Sequence, residues 1–425
     1  MAETLLARFL RYVQVNTQSD PGSATIPSTP AQWDLLRLLE GELRQMGAAE
    51  VSLTQHGYVL ATLPATSTRR GTPRVAFLAH ADTAPDFSGA GVKPLVHKKW
   101  NGKAFHLPDD SRQVLDPAAS AELKTAIGKD LITASGKTLL GADDKAGVAI
   151  VMTLADHLIR HPEIPHGKIR VCFNPDEEIG RGVDKVELAE IGADAAYTID
   201  GGLAGEVAWE TFSADGAEVT IEGVSTHPGT ARKYGMVNAL QLAARLLTAL
   251  PREGISPETT DERQGFIHPT RMQGGVDRAV ITFILRDFDL KGLADKGARL
   301  RGLCRGMQAA EPRARIRCKI KRQYRNMGYW LRDDMTPVNL LDEAVRAAGL
   351  APVHKAARGG TDGSRLTERG LPTPNIFTGG HNAHGPLEWV TTQDMELAVQ
   401  VCVALVSLWE SKGTGYGARR KTKTK

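Results

Sequence analysis

The chain has 425 residues, 41% of them hydrophobic and 24% charged, with a formal charge of +4. That length exceeds what one core usually supports, so two domains are expected, and the ordinary composition excludes a largely disordered chain. Part of the charge lies in the terminal run Ala418-Arg-Arg-Lys-Thr-Lys-Thr-Lys425, read as a solvated, frayed end, and aromatic residues are only 5% and not interleaved with basic clusters, so no nucleic-acid partner is expected.

In chain order, the start Met1-Ala-Glu-Thr-Leu-Leu-Ala-Arg-Phe-Leu carries an acid early and lacks an apolar stretch ending in a cleavage site. No run of about eighteen apolar residues follows anywhere, so no membrane span is expected. Arg74-Val-Ala-Phe-Leu-Ala-His80 reads as a buried strand that delivers His80 and, two residues on, Asp82. In an extended chain both point the same way, which suits a metal-bound histidine whose second ring nitrogen is held by a carboxylate, so Asp82 would orient rather than ligate. Gly141-Ala-Asp143-Asp-Lys-Ala-Gly147 opens a helix from Val148 to Ile159, where Asp143 could equally be a simple N-cap. Lys168–Asn174 is another strand, ending in Pro175-Asp-Glu177-Glu178-Ile-Gly180. Adjacent carboxylates repel unless their roles differ, so one ligating glutamate beside one general base is the economical reading. A third strand, Ala195–Ile199, ends on Asp200. Open α/β sheets place ligands at the carboxyl ends of strands, so these acids argue for one shared site.

From about residue 212 to about 326 the pattern changes. Strands at 217–224, 266–272, 279–286 and 314–321 alternate with helices at 236–250 and 293–307, giving a β-α-β-β-α-β, ferredoxin-like unit. It is inserted between Asp200 and His384, which leaves a discontinuous catalytic domain of 1–211 and 327–425. Strand–helix alternation there predicts an α/β fold, a mostly parallel sheet with helices on both faces closed by a helix from Thr391 to Trp409. Cysteines 172, 304, 318 and 402 lie far apart and imply no disulfide framework; Cys172 and Cys402 fall in apolar segments and read as core thiols. The expectation is a reduced, soluble, cytoplasmic protein.

Hard carboxylates mixed with imidazoles suit Zn²⁺ or a similar divalent ion, and there are enough of them for two ions, which points to metal-assisted hydrolysis. Spacing leaves open whether His381 or His384 is the second imidazole ligand. The segments His80-Ala-Asp82-Thr-Ala-Pro-Asp86, 141–147, 175–180 and Gly379-Gly-His381-Asn-Ala-His384-Gly385 resemble those of the peptidase T family. These are tripeptide aminopeptidases in the two-zinc peptidase group that also contains aminoacylase and carboxypeptidase G. The resemblance runs from Arg8-Phe-Leu-Arg-Tyr-Val-Gln-Val-Asn-Thr-Gln-Ser19 to the last helix, nearly the whole chain.

The resemblance implies one zinc held by His80 and Asp200, another by Glu178 and His384, and Asp143 bridging both, with a cis peptide between Asp143 and Asp144. Glu177 becomes the general base, Asp82 the carboxylate behind His80, and His381 a loop residue. The inserted domain becomes a lid that mediates homodimerisation, and Gly223-Val-Ser-Thr-His227-Pro-Gly229 supplies His227 across the dimer as an oxyanion donor. Without the resemblance, His227 before proline would be a surface-loop residue. The expected reaction is removal of the N-terminal residue of a tripeptide by a two-zinc-activated water. Dipeptide cleavage or N-acyl amino acid deacylation would use the same chemistry. A non-catalytic peptide-binding protein is disfavoured by the presence of Glu177 and Asp143. Two-metal phosphoryl chemistry would need a phosphate cradle, and Gly359-Gly-Thr-Asp-Gly-Ser-Arg365 follows no P-loop pattern. Arg286, Arg358 and Asn238 are candidates for the substrate, with solvated or structural pairing as the alternative for each.

Overall fold

A computed structural model describes residues 3–417; the basic run 418–425 lies outside the described residues. The chain divides into two compact units. The first runs up to Trp209, continues through Trp330–Lys355 and resumes at Thr361, and the second comprises Glu210–Tyr329 with Ala356–Gly360.

Eight strands build the main sheet of the first unit: β1 (Ala49–Leu53), β2 (Val59–Leu63), β3 (Val75–His80), β4 (Ile169–Asn174), β5 (Ala195–Gly201), β6 (Glu206–Ala208), β7 (Val353–His354) and β8 (Asn375–Phe377). Their order is β1-β2-β4-β3-β5-β8-β6-β7. The centre, β4-β3-β5-β8, is parallel, whereas β1–β2, β2–β4 and β8–β6 pair antiparallel. Every residue of β3 is buried, as expected of a continuous apolar run covered on both faces. Period-two alternation divides that run. Phe77 joins the large core and stacks on Tyr197 of β5 with centroids 6.0 Å apart, while Ala76 and Leu78 enter a smaller core on the opposite face.

The large core is closed by α1 (Leu5–Val13), α2 (Gln32–Met46), α3 (Ala142–Arg160), α4 (Thr336–Ala347) and, beyond the short α5 (Asp362–Glu368), by α6 (Thr392–Lys412). Leu366 of α5 packs on the other face, so helices cover both sides. The segment of α3 from Val148 to Leu158 is apolar almost all round, the composition of a helix enclosed by its neighbours. Two of the core rings satisfy their polar atoms in series: Trp409 Nε1 donates to the Tyr197 hydroxyl at 2.9 Å, which donates to the Pro337 carbonyl at 2.8 Å.

The second unit is an antiparallel sheet in the order Phe266–Gly274, Arg278–Asp287, Ser213–Glu222, Arg315–Tyr324, with helices Ala239–Ala249 and Leu290–Ala310. Ala217, Val219, Ile221, Ile281, Phe283 and Leu285 alternate inward onto Leu242, Leu246, Leu293 and Leu300 of the helices. Ala356–Gly360, assigned from sequence to the catalytic domain, belongs to this unit for a physical reason. The Arg358 guanidinium donates to the carbonyls of Thr260, Glu262 and Gln264 and lies over the rings of Phe212 and Phe266. Among the described residues, no helix is long and apolar enough to cross a membrane. All four cysteines are free, with Cys172, Cys304 and Cys402 buried.

Candidate metal centre

Because β3, β4 and β5 are parallel neighbours, their carboxyl ends open on one side, and each is followed by or carries an acid or imidazole: His80, Glu177 and Glu178, and Asp200. Asp143 enters from the start of α3. Gly147 makes that approach possible, since a Cβ there would stand 2.0 Å from the Ile199 carbonyl oxygen of β5. The Asp143–Asp144 peptide is cis, and both residues depart from helical dihedrals.

Two groups of three ligand atoms result, His80 with Asp143 and Asp200, and Asp143 with Glu178 and His384, each group lying within 4.8 Å. Asp143 belongs to both, through different oxygens. Its Oδ1 is 3.0 Å from His80 Nε2, and its Oδ2 is 3.4 Å from His384 Nε2. His384 Nε2 also lies 2.9 Å from Glu178 Oε2, and His80 Nε2 3.9 Å from Asp200 Oδ1. His384 sits in the left-handed region at φ 66°, a conformation costing a non-glycine residue roughly 1–3 kcal/mol and typical of functional positions. His381 joins neither group. It is buried, stacked on Trp389 at 3.7 Å and paired through Nδ1 with Glu122 at 3.1 Å.

Asp82 lies behind His80, with its Oδ1 3.3 Å from Nδ1. It does more than the strand pattern indicates: its carboxylate accepts the backbone N–H groups of Glu177 at 2.9 Å and Glu178 at 3.2 Å. The preceding Asp176, held at φ 59°, accepts from the Ser28 amide at 3.0 Å and from Gln32 Nε2 at 2.8 Å, which pins the turn that presents both glutamates. Asp144 accepts the His80 amide at 3.2 Å and that of Gly147 at 3.1 Å. Sequence reasoning passed over Asp144, Asp176, Asp362 and Glu388. The first two adjoin named residues, and proximity in the motifs was the available signal.

The electrostatics suit cations. Burial alone would push the His80 imidazole down, yet hydrogen bonds with Asp143 and Asp82 hold it well above its usual value. Asp143 and Glu178 hold His384 up, at about 11. Burial opposes charge on Asp143, but His384 and His80 together keep it below the usual carboxylate range. The remaining acids resist ionising: burial and then Asp143 push Asp200 well up and Glu178 to about 7, and burial and then Asp362 push Glu177 well up. The buried Glu178 Oε1 has no hydrogen-bond partner, a costly condition that a cation would relieve. Three carboxylates and two imidazoles, sharing one acid, therefore fit a pair of divalent ions.

The other candidates lie in the second unit. His227 is exposed, and its Nδ1 accepts the Gly229 amide at 3.1 Å, which leaves Nε2 to carry the proton of the neutral ring. Asn238 caps the helix Ala239–Ala249 by accepting the Leu240 amide at 2.9 Å. Arg286 Nη1 donates to the Leu285 carbonyl and Gln323 Oε1, both at 3.0 Å. Arg358 is held by the backbone carbonyls named above, a structural pairing.

A family model for the peptidase family M20/M25/M40 matches residues 139–408. Peptidase T of Geobacillus thermodenitrificans is 44% identical over 412 residues, 97% of this chain and 100% of that protein. Two solved structures share the fold. Aminopeptidase PepT of Bacillus cereus has a TM-score of 0.72 at 22% identity, over 95% of this chain and 98% of that one. A tripeptidase of Staphylococcus aureus has 0.74 at 20%, over 96% and 98%. With the family model spanning more than half of the sequence and a full-length relative at that identity, the chain belongs to peptidase family M20/M25/M40.

Proposed function

We propose that this peptidase removes the N-terminal residue of tripeptides with two zinc ions, one held by His80 and Asp200, the other by Glu178 and His384, with Asp143 shared. The observation that carries the reading is the division of Asp143, one oxygen toward each imidazole. The names of its relatives, peptidase T and tripeptidase, support the substrate class. When bound, the ions supply Lewis acidity that polarises the scissile carbonyl and lowers the pKa of water.

Glu177 belongs to neither ligand group, and its raised pKa suits a base that must also give its proton back. It takes a proton from the attacking water and delivers it to the departing amine. Asp82 positions this chemistry twice, by fixing the His80 ring and by holding the Glu177 and Glu178 amides. His227, with Nε2–H free to donate, stabilises the oxyanion from the partner subunit of a homodimer formed through the inserted unit. The setting is the cytoplasm, and the substrate a small peptide.

Hydrolysis of a tripeptide, its dipeptide counterpart and its N-acetylated form, each with and without chelator, tests the proposal. Preference for the free tripeptide, abolished by chelator and restored by zinc, is expected. Equal turnover of the N-acetylated compound would favour deacylation, and activity indifferent to chelator would refute the metal chemistry.

A further inference from the structure

Glu388 was not among the residues singled out by sequence, yet its carboxylate is 1% exposed and fully used. Oε2 accepts the backbone N–H groups of Leu140 and Gly141, both at 2.7 Å, and Oε1 accepts that of Asp143 at 3.0 Å. Three amide donors on one buried carboxylate are a strong, charge-assisted clamp. The clamped segment needs one. Gly141 is left-handed at φ 78° and Asp143 has φ −85°, ψ 101°, so this stretch does not share the regular helical ladder that fixes the rest of α3.

The clamp and His384 sit on the same loop. Residues 381 and 389 close its base by reciprocal hydrogen bonds of 2.9 and 3.0 Å, and the His381 ring lies flat on Trp389. Trp389 in turn begins a strand, Trp389–Thr391, paired with Leu131–Thr133. Inside the loop, the Glu388 amide donates to the Gly385 carbonyl at 3.3 Å, and Asn382 Nδ2 to the Leu387 carbonyl at 3.2 Å. One braced loop thus presents an imidazole to Asp143 Oδ2 and grips the backbone on which Asp143 is mounted.

We infer that Glu388 is a positioning residue that sets the angle at which Asp143 divides its two oxygens, so that both ion sites depend on it. The inference rests on the reading of Asp143 as the shared ligand. A purely structural carboxylate would stabilise the fold without altering how tightly folded protein holds metal. A carboxylate that aims Asp143 alters affinity at both sites, because a small rotation of this backbone changes the approach of Oδ1 and Oδ2 together.

The test compares full-length parent, Glu388→Gln, Glu388→Asp and Asp143→Asn, each stripped of metal and titrated with Zn²⁺ against a chromophoric chelator, with the visible spectrum of the Co²⁺ forms as a second readout. Glu388→Gln keeps the shape but turns an NH₂ group toward an amide donor. Partners behind metal ligands typically contribute about 10–100-fold in affinity, and a loss in that range is expected at both ions, with a changed Co²⁺ spectrum. Glu388→Asp keeps the charge at shorter reach and should fall between, and it carries the test should the glutamine variant not fold. Parental affinities and an unchanged Co²⁺ spectrum in folded Glu388 variants, with only the metal-free Tm lowered, would overturn the inference. Parental affinity in Asp143→Asn would instead overturn the two-ion reading itself.

Discussion

Glu177 and Glu178 are neighbours of the same chemistry, and the roles proposed for them carry opposite consequences on substitution. Glu177 lies outside both ligand groups, so Glu177→Gln should keep the parental metal content while losing the proton-transfer step. General-base catalysis contributes about 100- to 10,000-fold, so kcat on a tripeptide should fall by that factor, about 2.7–5.5 kcal/mol in the barrier. Glu178→Gln removes the oxygen 2.9 Å from His384 Nε2, leaving Asp143 and His384 as two donors where three stood, and should lose metal. Its stability should move the other way. Burial and Asp143 raise Glu178 from 4.5 to about 7, so above that pH the metal-free fold carries an ionisation cost of order 3 kcal/mol that the neutral amide removes. Metal-free Glu178→Gln should therefore melt higher than the metal-free parent at alkaline pH while binding fewer ions. Elemental analysis, tripeptide kinetics and calorimetry on both variants check this. Equal metal loss in the two would refute the division of roles, and a lower metal-free Tm for Glu178→Gln would refute the electrostatic reasoning.

The same shifts set a pH dependence. In metal-free protein Glu178 holds a proton that the unfolded chain has released, so stability present at acid pH is lost as pH rises from 4.5 through about 7; Glu177 and Asp200, also raised by burial, act in the same direction, and His384 extends the loss from 6.5 toward about 11. Calorimetry with chelator should show a Tm that falls between about pH 5 and 8, and a rising Tm would contradict it. Mixing Glu177→Gln with His227→Ala chains should restore activity, because one site of a mixed dimer then combines an intact Glu177 with a donated His227. Loss of one oxyanion donor typically costs about 100- to 1,000-fold, so recovery stands above background, and mixed dimers without recovery would reduce His227 to a loop residue. Phe77→Ala, in the centre of β3 and fully buried, should destabilise the protein by about 3–5 kcal/mol in denaturant titrations, and a loss below about 1 kcal/mol would show that the core there is not close-packed.

What could be read in advance was whatever local periodicity encodes. A run such as Val75-Ala-Phe-Leu-Ala-His80 declares a strand covered on both faces, and parallel strands leave their carboxyl ends together, so acids there converge. The alternation over 314–321 announced the second unit equally clearly, and the strand there runs Arg315–Tyr324. Interactions that cross the chain were not legible. Glu388 lies between Leu387 and Trp389 and reads as an ordinary polar position, yet it bonds to Leu140, 248 residues away. Asp82 was legible as the partner of His80 two residues before it, but not as the acceptor for amides 95 and 96 residues on. Arg358 could be read as a ligand group or as a structural pair, and nothing in its own segment revealed the carbonyls of Thr260, Glu262 and Gln264.

The strand order has a consequence for synthesis. His80, Asp143 and Asp200 have all been made once residue 200 is added, whereas His384 follows 184 residues later. At roughly 5–20 residues per second a ribosome needs about 10–40 s to cover that distance. In that interval β5 and β6 already exist but the strand that separates them, β8 at Asn375–Phe377, does not. A nascent chain therefore holds the three residues of one group, and a sheet lacking one of its inner strands, well before Glu388 is present to clamp the Asp143 backbone. The order of synthesis thus leaves the first ligand group unclamped and the second incomplete until the loop of residues 381–389 emerges, when His384 and the clamp on Asp143 arrive within five residues of each other.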